Sequence, residues 1–371
     1  MPNSPAARPS KMTMILLSHL LLSDRSGSEP YSGKSSLLEA QIANIGREEF
    51  DQLVALANSN HVVMRGLATF IGIAGNAEDK NRVAWATSAL DDERARIQNA
   101  LLFLHAVCAA FEEKGLDVTV IKSLDHWPDL GSDLDLYTNA DPGDVLELMK
   151  RRFQAQLAPR SWGDRLACKW NFLIPGLPEA VEIHIGRLGQ TGEQVALAAS
   201  LAGRARSIQI DGRMFRVPAV SDRLMISTLQ RMYRHFYFRL CDIVDSGSLV
   251  ECGAIDYDDL QGAAERAGIW EGVATYLAIV SDYLKTYRGS GLNLPDSVRG
   301  RARFGGEHVY YAREFLRVPI LPQSARLYGS QLRGLLRRRE LQSGARLGLL
   351  PWLATAAAVG QKITGSDKGI W

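Results

Sequence analysis

Three carboxylates on two short alternating segments could carry chemistry in this chain. The segment LGSDLDLYT, residues 130 to 138, sets Asp133 and Asp135 one residue apart inside an apolar run. Side chains of a β-strand alternate between faces, so both aspartates project one way while Leu134 and Leu136 project the other. Like charges roughly 6 to 7 Å apart repel, more strongly where water is scarce, and a divalent cation between them removes the conflict. Oxygen-only ligation favours Mg²⁺ or Mn²⁺ over zinc. A third acid stands in AVEIHIG, residues 180 to 186, where Val181, Ile183 and Ile185 share one face and Glu182 and His184 the other. A neighbouring strand in suitable register would bring Glu182 beside the aspartates. An isolated Asp-x-Asp is often just the wetted side of an edge strand. Gly131–Ser132 directly before it, the preceding VTVIKS and the later acidic strand shift the reading towards a metal site.

Taken together, VIKSLDHWPDLGSDLDLYT and AVEIHIG resemble the nucleotidyltransferase superfamily of DNA polymerase β, with its hydrophobic-Asp-hydrophobic-Asp strand and a later third carboxylate. More narrowly, the chain is similar to a bacterial family of uncharacterised nucleotidyltransferases over roughly residues 40 to 290. The elements that carry this resemblance are Lys122–Ser123, Asp133-Leu134-Asp135-Leu136, Glu182-Ile183-His184-Ile185 and RHFYFRLCDIVD at 234 to 245. The resemblance implies that an acceptor attacks the α-phosphorus of a nucleoside triphosphate such as ATP and releases pyrophosphate. Two Mg²⁺ or Mn²⁺ ions roughly 3.5 to 4 Å apart would serve that displacement, with Asp133, Asp135 and Glu182 as catalytic and metal-holding residues. The superfamily's phosphate-holding Gly-Ser pair lies well upstream of its aspartates. Gly131–Ser132 abuts Asp133, so Lys122–Ser123 is the expected phosphate contact.

Two departures stand out: Lys-Ser replaces the usual Lys-Gly, and Glu182 replaces the commoner Asp. They motivate a second reading, a catalytically degenerate relative that binds a nucleotide or a partner protein. A third reading is an unrelated α+β scaffold with a decorative Asp-x-Asp. Lys169 and Asn171 share a strand face and could meet the triphosphate, or simply face solvent. His184 is placed to orient Glu182, or to sit satisfied in the core. His235, Arg239 and Asp242 recur at spacings of four and three, which on one helix gives an ion-pair network or, alternatively, a wall of the substrate cleft. The basic run LRGLLRRRE reads as a solvated helix face or a contact for an acidic partner.

The surrounding elements predict an α+β fold: a small mixed nucleotidyltransferase-type sheet with a crossover helix, flanked by helical regions. Residues 1–35 read as a flexible tail, 36–115 as helical, 116–217 as the catalytic core and 218–371 as a C-terminal helical domain. Within the tail, MTMILLSHLLL reads as a first amphipathic helix or an upstream extension before Met12 or Met14, since no cleavage site follows it. DDERARIQNALLFLHAVCAAFEEKG predicts a helix capped by Asp91 or Asp92 and ended by Gly115. Strands are expected at LDVTVIKSL, GSDLDLYT, LACKWNFLI and AVEIHIG, with a helix after Asp141–Pro142. RSIQIDGRMFRV predicts a hairpin turning at Asp211–Gly212. The stretch from 220 to 249 reads as one long helix, and the next helix pair breaks near Gly268.

A hydrophobic fraction of 46%, a charged fraction of 23% and a net charge of +2 over 371 residues are ordinary for a globular protein. No global basic field argues for bulk nucleic acid, so the expected acceptor is a small molecule, saccharide or peptide. Cys108, Cys168, Cys241 and Cys252 form no CxxC pair and no metal-ligand spacing with the seven histidines. Buried reduced thiols in a cytoplasmic chain are expected, with no membrane span.

Overall fold

The computed structural model describes residues 10–23, 32–189 and 193–364. The fold is α+β, as expected. Within residues 1–35, the apolar run does form a helix, Lys11–Leu22, whose start is capped by the Ser10 hydroxyl. Met14, Leu17 and Leu20 are buried in it, so this part of the tail belongs to the core. The rest of residues 1–31 lies outside the described residues, apart from Ser10 and Ser23.

The longest helix spans Lys80–Glu113 and is capped by Asp79, not by Asp91 or Asp92. Val83, Ala86 and Leu90 extend the apolar stripe upstream of those aspartates, so nothing stops the helix there. Its far end follows expectation, with Gly115 taking a left-handed φ of 69° just beyond it.

Strands β1 (Thr119–Val120), β2 (Asp133–Thr138), β3 (Gln156–Leu157), β4 (Lys169–Leu173) and β5 (Ala180–Ile185) form one sheet in the order β1-β2-β5-β4-β3. β2 and β5 run parallel, while the other pairs are antiparallel. The helix Pro142–Phe153, capped by the Asp141 side chain, occupies the connection between β2 and β5. Strands β6 (Arg206–Ile210) and β7 (Arg213–Val217) form the expected hairpin, with Asp211 and Gly212 both at positive φ, as a tight two-residue turn demands. This hairpin does not join the main sheet; it contributes Ile210, Phe215 and Val217 to the sheet's core instead.

The single long helix expected from 220 to 249 is broken. Val220–Gln230 ends in a wide turn at Arg231–His235, Phe236 takes a φ of 53°, and β8 (Tyr237–Phe238) follows. β8 pairs with β10 (Phe315–Arg317), which pairs with β9 (Tyr310–Ala312). A new helix then starts at Leu240, where the Asp242 carboxylate accepts the Arg239 N–H at 2.7 Å. His235, Arg239 and Asp242 therefore do not share a helical face. The later pair Tyr257–Ala267 and Trp270–Arg288 does break at Gly268, φ 73°.

Two cores organise the chain. The N-terminal helices and the C-terminal helices share one, through Leu17, Phe50 and Phe70 on one side and Phe238, Tyr276 and Leu277 on the other. The sheet packs its own core against the second half of the long helix, from Ile97 to Phe111. Among the described residues no helix is long and apolar enough to cross a membrane.

Candidate active site

Parallel pairing of β2 and β5 sets Asp135 directly opposite Glu182 and Leu134 opposite Val181. Because both strands alternate, Leu134, Leu136, Val181 and Ile183 fill the core at zero exposure while the acids emerge on the opposite face. Antiparallel pairing with β4 then places Lys169 opposite His184 and Asn171 opposite Glu182. Asp135, Lys169, Glu182 and His184 line a cavity of about 870 Å³ between the sheet and the C-terminal helices; Asn171 does not.

Asp135, Glu182 and His184 form a close group, with ligand atoms within 4.8 Å of one another. His184 Nε2 stands 2.9 Å from Glu182 Oε1 and 3.7 Å from Asp135 Oδ1, a position compatible with the first of the two parts expected of it, orienting Glu182. Asp133 faces the same cavity but stays outside that group, and its Oδ1 accepts the Ser132 hydroxyl at 2.5 Å. The sequence pattern suggested Asp133 and Asp135 as equal partners; in the fold Asp135 belongs to the inner, buried group and Asp133 lies further out on the same cavity.

The cations of the site hold the acids rather than standing apart. Lys122 Nζ is in ion-pair contact with Asp135 Oδ1 and lies 3.7 Å from Glu182 Oε1. Its backbone sits at φ 62°, a region that costs a non-glycine residue of order 1–3 kcal/mol and persists only where surroundings enforce it. Lys169 Nζ bridges Glu182 Oε2 at 2.8 Å and Asp164 Oδ1 at 3.0 Å. Ser123, expected at a phosphate, has its hydroxyl engaged on the backbone. It accepts the Asp135 N–H at 2.7 Å and donates to the Asp133 carbonyl at 3.2 Å. At 2% exposure it ties β2 to the turn after β1, and it lines the same cavity beside Lys122.

These contacts separate the two acids electrostatically. Burial pushes Asp135 up to about 6, against the pull of Lys122. Burial acts on Glu182 in the same sense, but Lys122, His184 and Lys169 outweigh it and hold that carboxyl well below its ordinary range. Burial opposes the Lys122 charge, yet Asp135 and Glu182 raise its affinity for the proton. The site is thus charged on both sides, with two ammonium groups matched to the acids.

The far wall of the cavity brings His235 and Arg239 towards the acids, whereas Asp242 turns away to a buried pair with Arg231 Nε at 2.7 Å. Burial and then Arg231 lower His235 to about 3, so its imidazole is neutral near pH 7. The network expected from these spacings therefore divides into a structural pair and a cavity wall. Asp164 was not anticipated, although the Ser161-x-x-Asp164 capping box that positions it is a readable pattern. Of the cysteines, Cys108 and Cys241 are buried, Cys168 is half-buried and Cys252 is exposed, all four as free thiols.

The donor set suits a hard divalent cation: Asp133, Asp135 and Glu182 offer only oxygen, on one open face. No protein-family model and no curated protein matches this chain.

Proposed function

We propose that this protein is a metal-dependent nucleotidyltransferase that moves a nucleoside monophosphate from a nucleoside triphosphate to a small-molecule, saccharide or peptide acceptor, releasing pyrophosphate. One observation carries this reading: the parallel register of β2 and β5 that sets Asp135 against Glu182 on the open face, with Asp133 two residues outward. Asp133, Asp135 and Glu182 would hold Mg²⁺ or Mn²⁺, which when bound neutralises the acids and polarises phosphate oxygens. Lys169 and Arg239 line the same cavity and supply positive charge for the triphosphate. Lys122, now paired with Asp135, can exchange that carboxylate for a phosphate oxygen. Glu182, held well below its ordinary range, is a ligand rather than a proton acceptor. An acceptor oxygen attacks the α-phosphorus, the bond to the bridging oxygen breaks, and the acceptor's proton passes to water.

A second reading has its own support. Lys122 and Lys169 already match the inner carboxylates, so the site is balanced without a metal, as a binding protein without turnover would require. The two separate in one experiment. The protein is incubated with each labelled nucleoside triphosphate, Mg²⁺ or Mn²⁺ and a panel of hydroxyl acceptors, and pyrophosphate is followed. Metal-dependent release that falls by at least about 10²-fold in Asp133→Asn and Asp135→Asn supports the transferase. Nucleotide binding with no release across the panel selects the binding protein.

A further inference from the structure

A second cluster on the same cavity has a different donor chemistry. His61, His126 and Cys241 bring one ligand atom each to within 4.8 Å of one another, although the cysteine and histidine spacings in the sequence give no sign of it. They come from three regions. His61 follows the Arg47–Ser59 helix, His126 ends the short turn after β1, and Cys241 lies in the first turn of the Leu240–Glu251 helix.

The groups around them fix this arrangement. His126 Nδ1 contacts Asp245 Oδ2 at 2.5 Å, which leaves Nε2 turned to Cys241 Sγ at 3.8 Å. Asp245 is itself held by Arg65 Nη1 at 2.5 Å, and Arg65 Nε reaches Asp129 at 2.6 Å. A carboxylate behind one ring nitrogen fixes the ring and aims the other nitrogen at the cluster, the usual support behind a metal-bound imidazole. Asn60 locks the opposite side: its Oδ1 accepts the Leu240 N–H at 3.0 Å and its carbonyl accepts the Cys241 N–H at 3.3 Å. His61, next in the chain, is held at φ 53° with its ring edge-on to His126 at 5.5 Å. It is 8% exposed, and its Nδ1 has no hydrogen-bond partner, a buried polar atom for which the protein provides nothing.

We propose that His61, His126 and Cys241 form a zinc-type site, with two nitrogens and one sulfur as ligands and the fourth position facing the cavity. Two imidazoles and a thiolate suit Zn²⁺ and exclude Mg²⁺. Zinc–nitrogen and zinc–sulfur bonds of about 2.0 and 2.3 Å place tetrahedral ligands about 3.5 Å apart, close to the separation between His126 and Cys241. Binding converts the Cys241 thiol to thiolate and releases its proton to solvent. Cys241 is fully buried and does not line the cavity, which suits a ligand better than a nucleophile. His61 and His126 do line it, so a water or a donor atom of a bound molecule can complete the metal's shell. Such an ion would also tie the N-terminal helices, the sheet and the C-terminal helices at one point.

This inference is independent of nucleotidyl transfer, and its test does not use turnover. The full chain is stripped with a chelator and titrated with Co²⁺. One Co²⁺ per chain is expected at this site, with a thiolate-to-cobalt charge-transfer band and the intense visible bands of four-coordinate cobalt. Zn²⁺ should bleach both. The spectrum should disappear in Cys241→Ser and persist in Asp135→Asn, which separates this site from the carboxylates. Absence of the charge-transfer band in folded wild-type protein overturns the proposal, as does its survival in Cys241→Ser. If Cys241→Ser does not fold, the chain with Cys108, Cys168 and Cys252 all replaced by Ser decides instead. Its band must remain, and loss of the band assigns the thiolate elsewhere.

Discussion

Asp135 and Glu182 share a register and a face, yet their neighbours drive them apart: burial raises the first, and nearby cations hold the second ionised. That the acids would meet was legible, because strand alternation has a period of two and survives translation from sequence to fold. That Lys122 would reach them was not, because it depends on a left-handed backbone turn and on a strand far along the chain. The same logic of burial governs Asp222, which has zero exposure and lies 3.2 Å from Arg204. Burial raises it to about 6, against the pull of Arg204. The native state then keeps its proton up to about pH 6, whereas the unfolded chain releases it near 4. The resulting stabilisation is complete below about pH 4 and is lost as pH rises through 6. Asp222→Asn removes this titration, so the variant should gain about 1–3 kcal/mol relative to wild type between pH 4 and 7, read by urea unfolding. Parallel stability curves for the two proteins would refute this.

At the scale of elements, local signals held wherever the chain's own chemistry decided the outcome. Asp141–Pro142 starts a helix, Asp211–Gly212 turns a hairpin, and Gly268 separates two helices. Readings failed where distant partners decided. The 220–249 helix is interrupted because β8 pairs with β10, nearly eighty residues later, and backbone pairing of that kind overrides helix propensity. Arg231 and Arg239 flank this break in different roles. Arg231 neutralises buried Asp242, and replacing it with Met leaves that carboxylate unpaired at a cost of about 3–5 kcal/mol in denaturant unfolding. Arg239 gives the helix cap only its backbone N–H. Arg239→Met should therefore change stability by less than about 1 kcal/mol while weakening nucleotide binding several-fold. Equal stability losses in both variants would contradict this division.

At the scale of the molecule, four consecutive regions were expected and two interwoven cores are found. The sequence could not reveal this, because apolar periodicity shows which face of a helix is buried but not against what. The helices on either side of the sheet share one core, and the sheet borrows Ile97, Leu101, Leu104 and Phe111 from the long helix. A fragment of residues 116–217 lacks that part of its core and should give a poorly dispersed NMR spectrum; a well-dispersed one would show that the sheet folds alone. The shared architecture also places the cavity between sheet and C-terminal helices, where both sets of charged groups meet. On the proposed function, the carboxylate face of β2 and β5 holds a divalent metal for phosphate chemistry. Mn²⁺ binding in the presence of a nucleoside triphosphate, measured by electron paramagnetic resonance, tests it most directly. Wild type should bind Mn²⁺, and Asp135→Asn should bind it at least about tenfold more weakly while remaining folded. Equal Mn²⁺ affinity in the two proteins would contradict the account.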